Sequence, residues 1–113
     1  MLRMETEQLE PGVTKANLEG RLDIAGTGAI DLAFNALAGS TRGLIVDLSQ
    51  VDFIASLGLR LLIVAGRTVQ RKGGRMVLFR PPIEVEAVLI SSGTDNVVPI
   101  LRDLGEAIRA VGA

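Results

Sequence analysis

Gly43-Leu-Ile-Val-Asp-Leu48, continued by Val51-Asp-Phe-Ile-Ala-Ser-Leu-Gly-Leu-Arg60, is the stretch from which the fold can be read. The aliphatic run Leu44 to Val46 with Leu48 has no polar alternation, as in a strand covered on both faces. Val51 to Ile54 carries the chain onward to the next helix. From Leu57 to Arg71 the apolar spacing becomes helical, with Leu61, Leu62, Ala65 and Val69 on one stripe. A buried strand that leads through one serine into an amphipathic helix is half of a βαβ unit.

The flanking sequence extends this pattern in both directions. Leu2 to Gln8 alternates weakly and Glu10-Pro11-Gly12 is a turn, so Val13 to Glu19 returns as the second strand of a hairpin. Gly20 and Leu22 to Gly28 read as a loop that enters a helix over Ala29 to Ala38, closed by Gly39-Ser40. Beyond the central unit, Gly73-Gly74 stops the long helix and Arg75 to Phe79 is a strand. Pro81-Pro82 opens a helix over Ile83 to Ile90, which Ser91-Ser92-Gly93 ends. Val97 to Ile100 is a short strand, placed at an edge by its proline, and Asp103 to Val111 is a final helix. The order β-β-α-β-α-β-α-β-α predicts an α/β fold: a four- to five-stranded mixed sheet covered by about four helices. The length, 113 residues without repeats or linkers, fits a single domain over residues 1–113.

Composition narrows the chemistry. The chain has no His and no Cys, so the commonest general base, the commonest metal ligand and all thiol chemistry are missing. The scattered Asp residues show no metal-cage or paired-carboxylate spacing, and Gly26-Thr-Gly28 lacks the Gly-Lys-Ser/Thr of a phosphate loop. No metal, no cofactor and no catalytic residue is expected. A net charge of −1 with three aromatic residues, all Phe, argues against nucleic acid. The apolar run from Leu57 to Gly66 contains Arg60 and is too short to span a bilayer, and the first residues lack a signal-peptide core. A soluble cytoplasmic protein is expected.

Ser56 carries the functional question. It has two readings: a cap for the helix beginning near Leu57, or a phosphoacceptor at a helix start whose dipole favours negative charge. Asp23, behind Gly20-Arg-Leu, is either a residue that solvates a loop or makes an Asx-turn, or a contact residue beside Ser56 on the same sheet edge. Asp47, at the strand end, is a candidate to orient the Ser56 loop.

Leu44-Ile-Val-Asp-Leu-Ser-Gln-Val-Asp-Phe-Ile-Ala-Ser-Leu-Gly-Leu59 resembles the signature of the STAS domain, the fold of bacterial anti-sigma-factor antagonists. Asp47-Leu48 resembles the family's strand end, Phe53-Ile54 its aromatic–aliphatic pair, and Gly58-Leu59 the Gly-Leu after its phosphorylated serine, onto which Ser56 falls. Gly20-Arg-Leu-Asp23, Gly73-Gly74 and Ser92-Gly93 resemble further landmarks in the family order. The chain departs from the pattern at Ala55, where the family carries Asp, at Leu57, where it carries Ser or Thr, and at Arg60, where it carries a small residue. An acidic neighbour and a second hydroxyl are thereby lost.

The resemblance implies a non-enzymatic antagonist. It would bind an anti-sigma factor, a serine kinase with a GHKL-type ATP site, and so free a sigma factor for transcription. Phosphorylation of Ser56 would expel it, and a metal-dependent serine phosphatase would reset it. Asp23, Ala55, Leu57, Gly58 and Arg60 are the implied partner contacts. Two other readings stand beside this one. The first is a STAS module serving as a structural partner in a stress-signalling scaffold or lipid-transport complex. The second is a small nucleotide-binding protein or enzyme, which the missing phosphate loop disfavours.

Overall fold

The computed structural model describes residues 2–112. The terminal residues of the expected 1–113 span, Met1 and Ala113, lie outside the described residues. Strands β1 (Arg3–Glu10) and β2 (Val13–Leu22) form the expected hairpin, and β3 (Gly43–Ile54), β4 (Arg75–Phe79) and β5 (Ile100–Leu101) complete the sheet. Between them run helices α1 (Ile24–Ser40), α2 (Ser56–Arg71) and α3 (Ile83–Ser91), and α4 (Leu104–Val111) follows β5. The five strands lie in chain order. β1 is antiparallel to β2, and every later pair is parallel. The expected mixed sheet with about four helices is therefore the fold observed.

A sheet that grows in one direction through right-handed crossovers places its crossover helices on one face. Here Ile30 and Phe34 of α1, Leu62 and Val69 of α2, and Leu89 of α3 pack with Leu44, Val46 and Leu48 of β3 in one core. The alternate residues of the sheet, Val13, Ile45, Val77 and Phe79, meet Ala107 and Val111 of α4 in a smaller core on the other face. Strand periodicity explains the division, since neighbouring residues of β3 point to opposite faces. Burial of each large aliphatic side chain contributes about 1.5–3 kcal/mol, and the aliphatic stripe of α2 supplies several.

Three expectations are corrected. The segment Leu22 to Gly28 is not a loop: β2 runs to Leu22, and α1 starts at Ile24, so Gly26 and Gly28 are helical. The last strand is Ile100–Leu101 rather than Val97 to Ile100. A 3-10 turn at Thr94–Asn96 takes up the preceding chain, and Val98 is buried in the larger core. The Pro99 carbonyl accepts from Leu78 N–H at 2.8 Å, so the proline precedes the strand that it was expected to occupy. The edge position of this strand is as expected.

Candidate functional site

At the carboxyl end of the sheet, β2 and β3 project together beyond β4. Phe79, the last residue of β4, pairs with Asp47, whereas β3 continues alongside β2 to the pair Leu22 and Ile54. Each of these two strands feeds a helix. The junctions are Asp23-Ile-Ala-Gly26 and Ala55-Ser-Leu-Gly58, with Asp23 and Ala55 in the cap positions. The Ala55 N–H donates to the Leu22 carbonyl at 3.0 Å and ties the two junctions together.

The glycines in both junctions are third residues of their helices, and close packing requires each of them. A Cβ on Gly26 would lie 1.9 Å from the Arg21 carbonyl oxygen. One on Gly58 would lie 2.9 Å from the Leu22 carbonyl oxygen and 3.0 Å from Ile54 Cγ1. Two successive carbonyls at the end of β2 thus receive the two helix starts. Gly58, expected among the partner contacts, is buried, and its role is to admit α2 to the sheet.

The caps differ. Asp23 accepts from the Gly26 N–H at 2.8 Å, and its other carboxylate oxygen lies 3.5 Å from Arg21 Nε. The Gly26 N–H chiefly holds this carboxyl below its ordinary range; burial pushes it up, and the neighbouring Arg21 guanidinium adds to the lowering. The Arg21 guanidinium stands over the Phe53 ring at 4.2 Å, a cation–π contact set by the pairing of Arg21 with Phe53 across the strands. At α2 the cap residue is Ala55, whose extended backbone suits a cap but whose side chain accepts nothing. Ser56 is the first residue of the helix and is exposed, so the reading of Ser56 as the cap is corrected. The N–H groups of the first turn have no side-chain acceptor from the cap, and a helix start in that state favours an anion.

The remaining expected residues divide between two surfaces. Asp23, Ala55 and Ser56 lie along the sheet edge. Leu57 and Arg60 turn toward a groove of about 480 Å³ between α1 and α2, which Ile24, Thr27, Asp31 and Val64 also line. Asp47 does not orient the Ser56 loop. It accepts from the Ser49 N–H at 2.8 Å and pairs with Lys15 Nζ at 3.1 Å on the other face of the sheet. Burial pushes the Asp47 carboxyl up, but the hydrogen bonds from Ser49 and Lys15 outweigh it and leave the carboxyl below its ordinary range. Sequence reading did not single out Arg21 as a site residue and took Phe53 only as a landmark. The signal was cross-strand register, which needs both strand ends to be known.

The site is thus a polar strand-end edge with an exposed serine at an open helix start, on a mixed α/β sheet. The family model for the STAS domain matches residues 6–107, and the chain belongs to this family. No curated protein matches the sequence. Among solved structures, an anti-sigma factor antagonist from Mycobacterium paratuberculosis is similar with a TM-score of 0.87 at 24% identity, covering 100% of this chain and 96% of that one. The anti-sigma factor antagonist SpoIIAA in its unphosphorylated form is similar with a TM-score of 0.80 at 20% identity, covering 98% of both chains. The Bacillus cell fate determinant SpoIIAA in its phosphorylated form gives a TM-score of 0.72 at 19% identity, over 96% of this chain and 99% of that one. At these identities the likeness establishes the fold. Among the described residues, no helix is long and apolar enough to cross a membrane.

Proposed function

We propose that this protein is an anti-sigma-factor antagonist switched by phosphorylation of Ser56. The observation that carries the reading is the exposed Ser56 at the first position of a helix whose cap accepts nothing, beside the Arg21–Asp23–Phe53 cluster. The fold neighbour SpoIIAA, known in unphosphorylated and phosphorylated forms, supports it.

The unmodified edge docks on an anti-sigma factor that is also a serine kinase with a GHKL-type ATP site. Asp23 and Arg21 present paired charge, while Ala55 and Leu57 present small and apolar surface. The kinase transfers the γ-phosphoryl group of ATP to Ser56 Oγ. The hydroxyl proton passes to a base on the kinase, and ADP leaves. The phosphoserine carries about −1.5 to −2 charges. The open start of α2 accommodates that charge without loss of the fold. The same charge is placed against the docked partner and expels it. A serine phosphatase hydrolyses the phosphoester and resets the switch. The domain itself is substrate and ligand, not catalyst.

Mass spectrometry after incubation with the cognate kinase and ATP tests this reading. One phosphate on Ser56, absent in Ser56→Ala, is expected. A phosphate elsewhere, or none, overturns it. A second reading, a STAS module that serves as a structural partner, is favoured by Ala55 and Leu57, which stand where the family pattern has an acid and a hydroxyl. It predicts a partner whose binding is unchanged by Ser56→Glu.

A further inference from the structure

Helix α1 is apolar on its outer side as well as on its core side. Asp31 is the single charged residue among its 17. Ala25, Ala29, Leu32 and Ala36 are exposed, Leu32 at 86%, and Ile24 at the helix start is 74% exposed. A helix that is hydrophobic all round is normally covered. The apolar surface continues across the groove to Leu57 and Val64 of α2, which are 45% and 41% exposed. A continuous patch of this kind marks an interaction surface. Within the groove Thr27 Oγ1 is buried and has no hydrogen-bond partner among the described residues.

Two charged residues line the groove, Asp31 from α1 and Arg60 from α2. Neither is in an ion pair among the described residues. Asp31 only accepts from the Asn35 side chain at 2.8 Å. A surface with one unpaired charge of each sign beside an apolar stripe is complementary to itself under a two-fold rotation. In such an isologous contact residue i meets j and j meets i. Interfaces between identical chains are also more apolar than other interfaces, with few charges at their centre, and α1 has that composition.

We infer that this face joins two copies of the chain into a symmetric dimer, with α1 of each copy packed along the α1–α2 groove of the other and Asp31 of each copy against Arg60 of the other. The inference does not rest on the phosphorylation of Ser56. It has a consequence for that reading, because Leu57 and Arg60 border both surfaces. A partner bound at the Ser56 edge and a second copy bound at α1 would then compete.

Light scattering and sedimentation velocity on the full chain over a wide concentration range test the inference. The wild type is expected to pass from the 11.9 kDa monomer to twice that mass as concentration rises. Leu32→Glu, at a site too exposed to unfold the chain, should raise the dissociation constant about tenfold or more. Asp31→Arg and Arg60→Asp should each weaken the dimer, because each places like charges together. An equimolar mixture of these two variants should recover it, because every contact in the mixed dimer is again between opposite charges. A wild type that stays monomeric at all concentrations overturns the inference. A dimer that tolerates Leu32→Glu, or whose charge variants do not rescue each other, assigns self-association to another face and overturns it equally.

Discussion

The starts of α1 and α2 are built alike and finished differently. Both follow a parallel strand, both place a glycine at the third helical position, and both pack that glycine on a carbonyl at the end of β2. At α1 an aspartate closes the helix start, and the next residue is Ile24. At α2 an alanine leaves it open, and the next residue is Ser56. The shared part is a requirement of the fold, since a helix must come close to the sheet to bury its stripe. The different part is where function has room. Closing a helix end contributes stability, so a start left open beside an exposed hydroxyl is the place to look for a ligand or a modification.

The shared part breaks first. Gly26→Ala puts a methyl group into the Arg21 carbonyl and should cost about 3 kcal/mol or more, read from the urea midpoint. Gly58→Ala meets the Leu22 carbonyl and Ile54 less closely and should cost about 1–3 kcal/mol. A Gly26 variant as stable as the Gly58 variant would show that the first junction relaxes.

The different part gives smaller effects, of opposite sign at the two ends. Ala55→Asp supplies the missing acceptor to α2 and should stabilise the protein by about 1 kcal/mol. Asp23→Ala removes the acceptor from α1 and should lower the melting temperature. Acid titration sharpens the contrast. Asp23 and Asp47 both lie below the ordinary 3.8 when folded, so the unfolded chain takes up their protons first. The stability they contribute is complete above the unfolded value and disappears as pH falls through the lower folded values. Asp23→Ala and Asp47→Asn should each flatten the loss of stability below about pH 4, whereas Ala55→Asp should steepen it. Ser56→Ala should change stability by less than about 0.5 kcal/mol, because Ser56 makes no capping bond.

The comparison also explains what could be read from sequence. The core of α2 was legible because Leu61, Leu62, Ala65 and Val69 repeat at helical spacing and are all buried. β3 was legible because its aliphatic run is covered on both faces. The start of α1 was not. Gly26-Thr-Gly28 has the local preference of a loop, and only the close approach to Arg21 makes glycine the helical choice there. The last strand was misplaced because Val97, Val98 and Ile100 have strand-like composition, while Val98 is taken into the core by the 3-10 turn before it. At the site, Ser56 and Asp23 were found by pattern. Only the capping reading of Ser56 fails, because Ser56 lies one residue past the cap, and the N–H that Asp23 accepts from belongs to a helix whose start had the look of a loop. The apolar outer face of α1 was not legible, because helical spacing alone does not tell an exposed apolar residue such as Leu32 from a buried one such as Phe34.

The central claim is that the open start of α2 is a phosphate-controlled docking edge. Calorimetric titration of a cognate anti-sigma kinase with the wild type, the kinase-phosphorylated protein and Ser56→Glu tests it most directly. The account predicts binding by the unmodified protein, and loss of binding in the other two while both retain the folded circular dichroism spectrum. Equal binding by all three would contradict it.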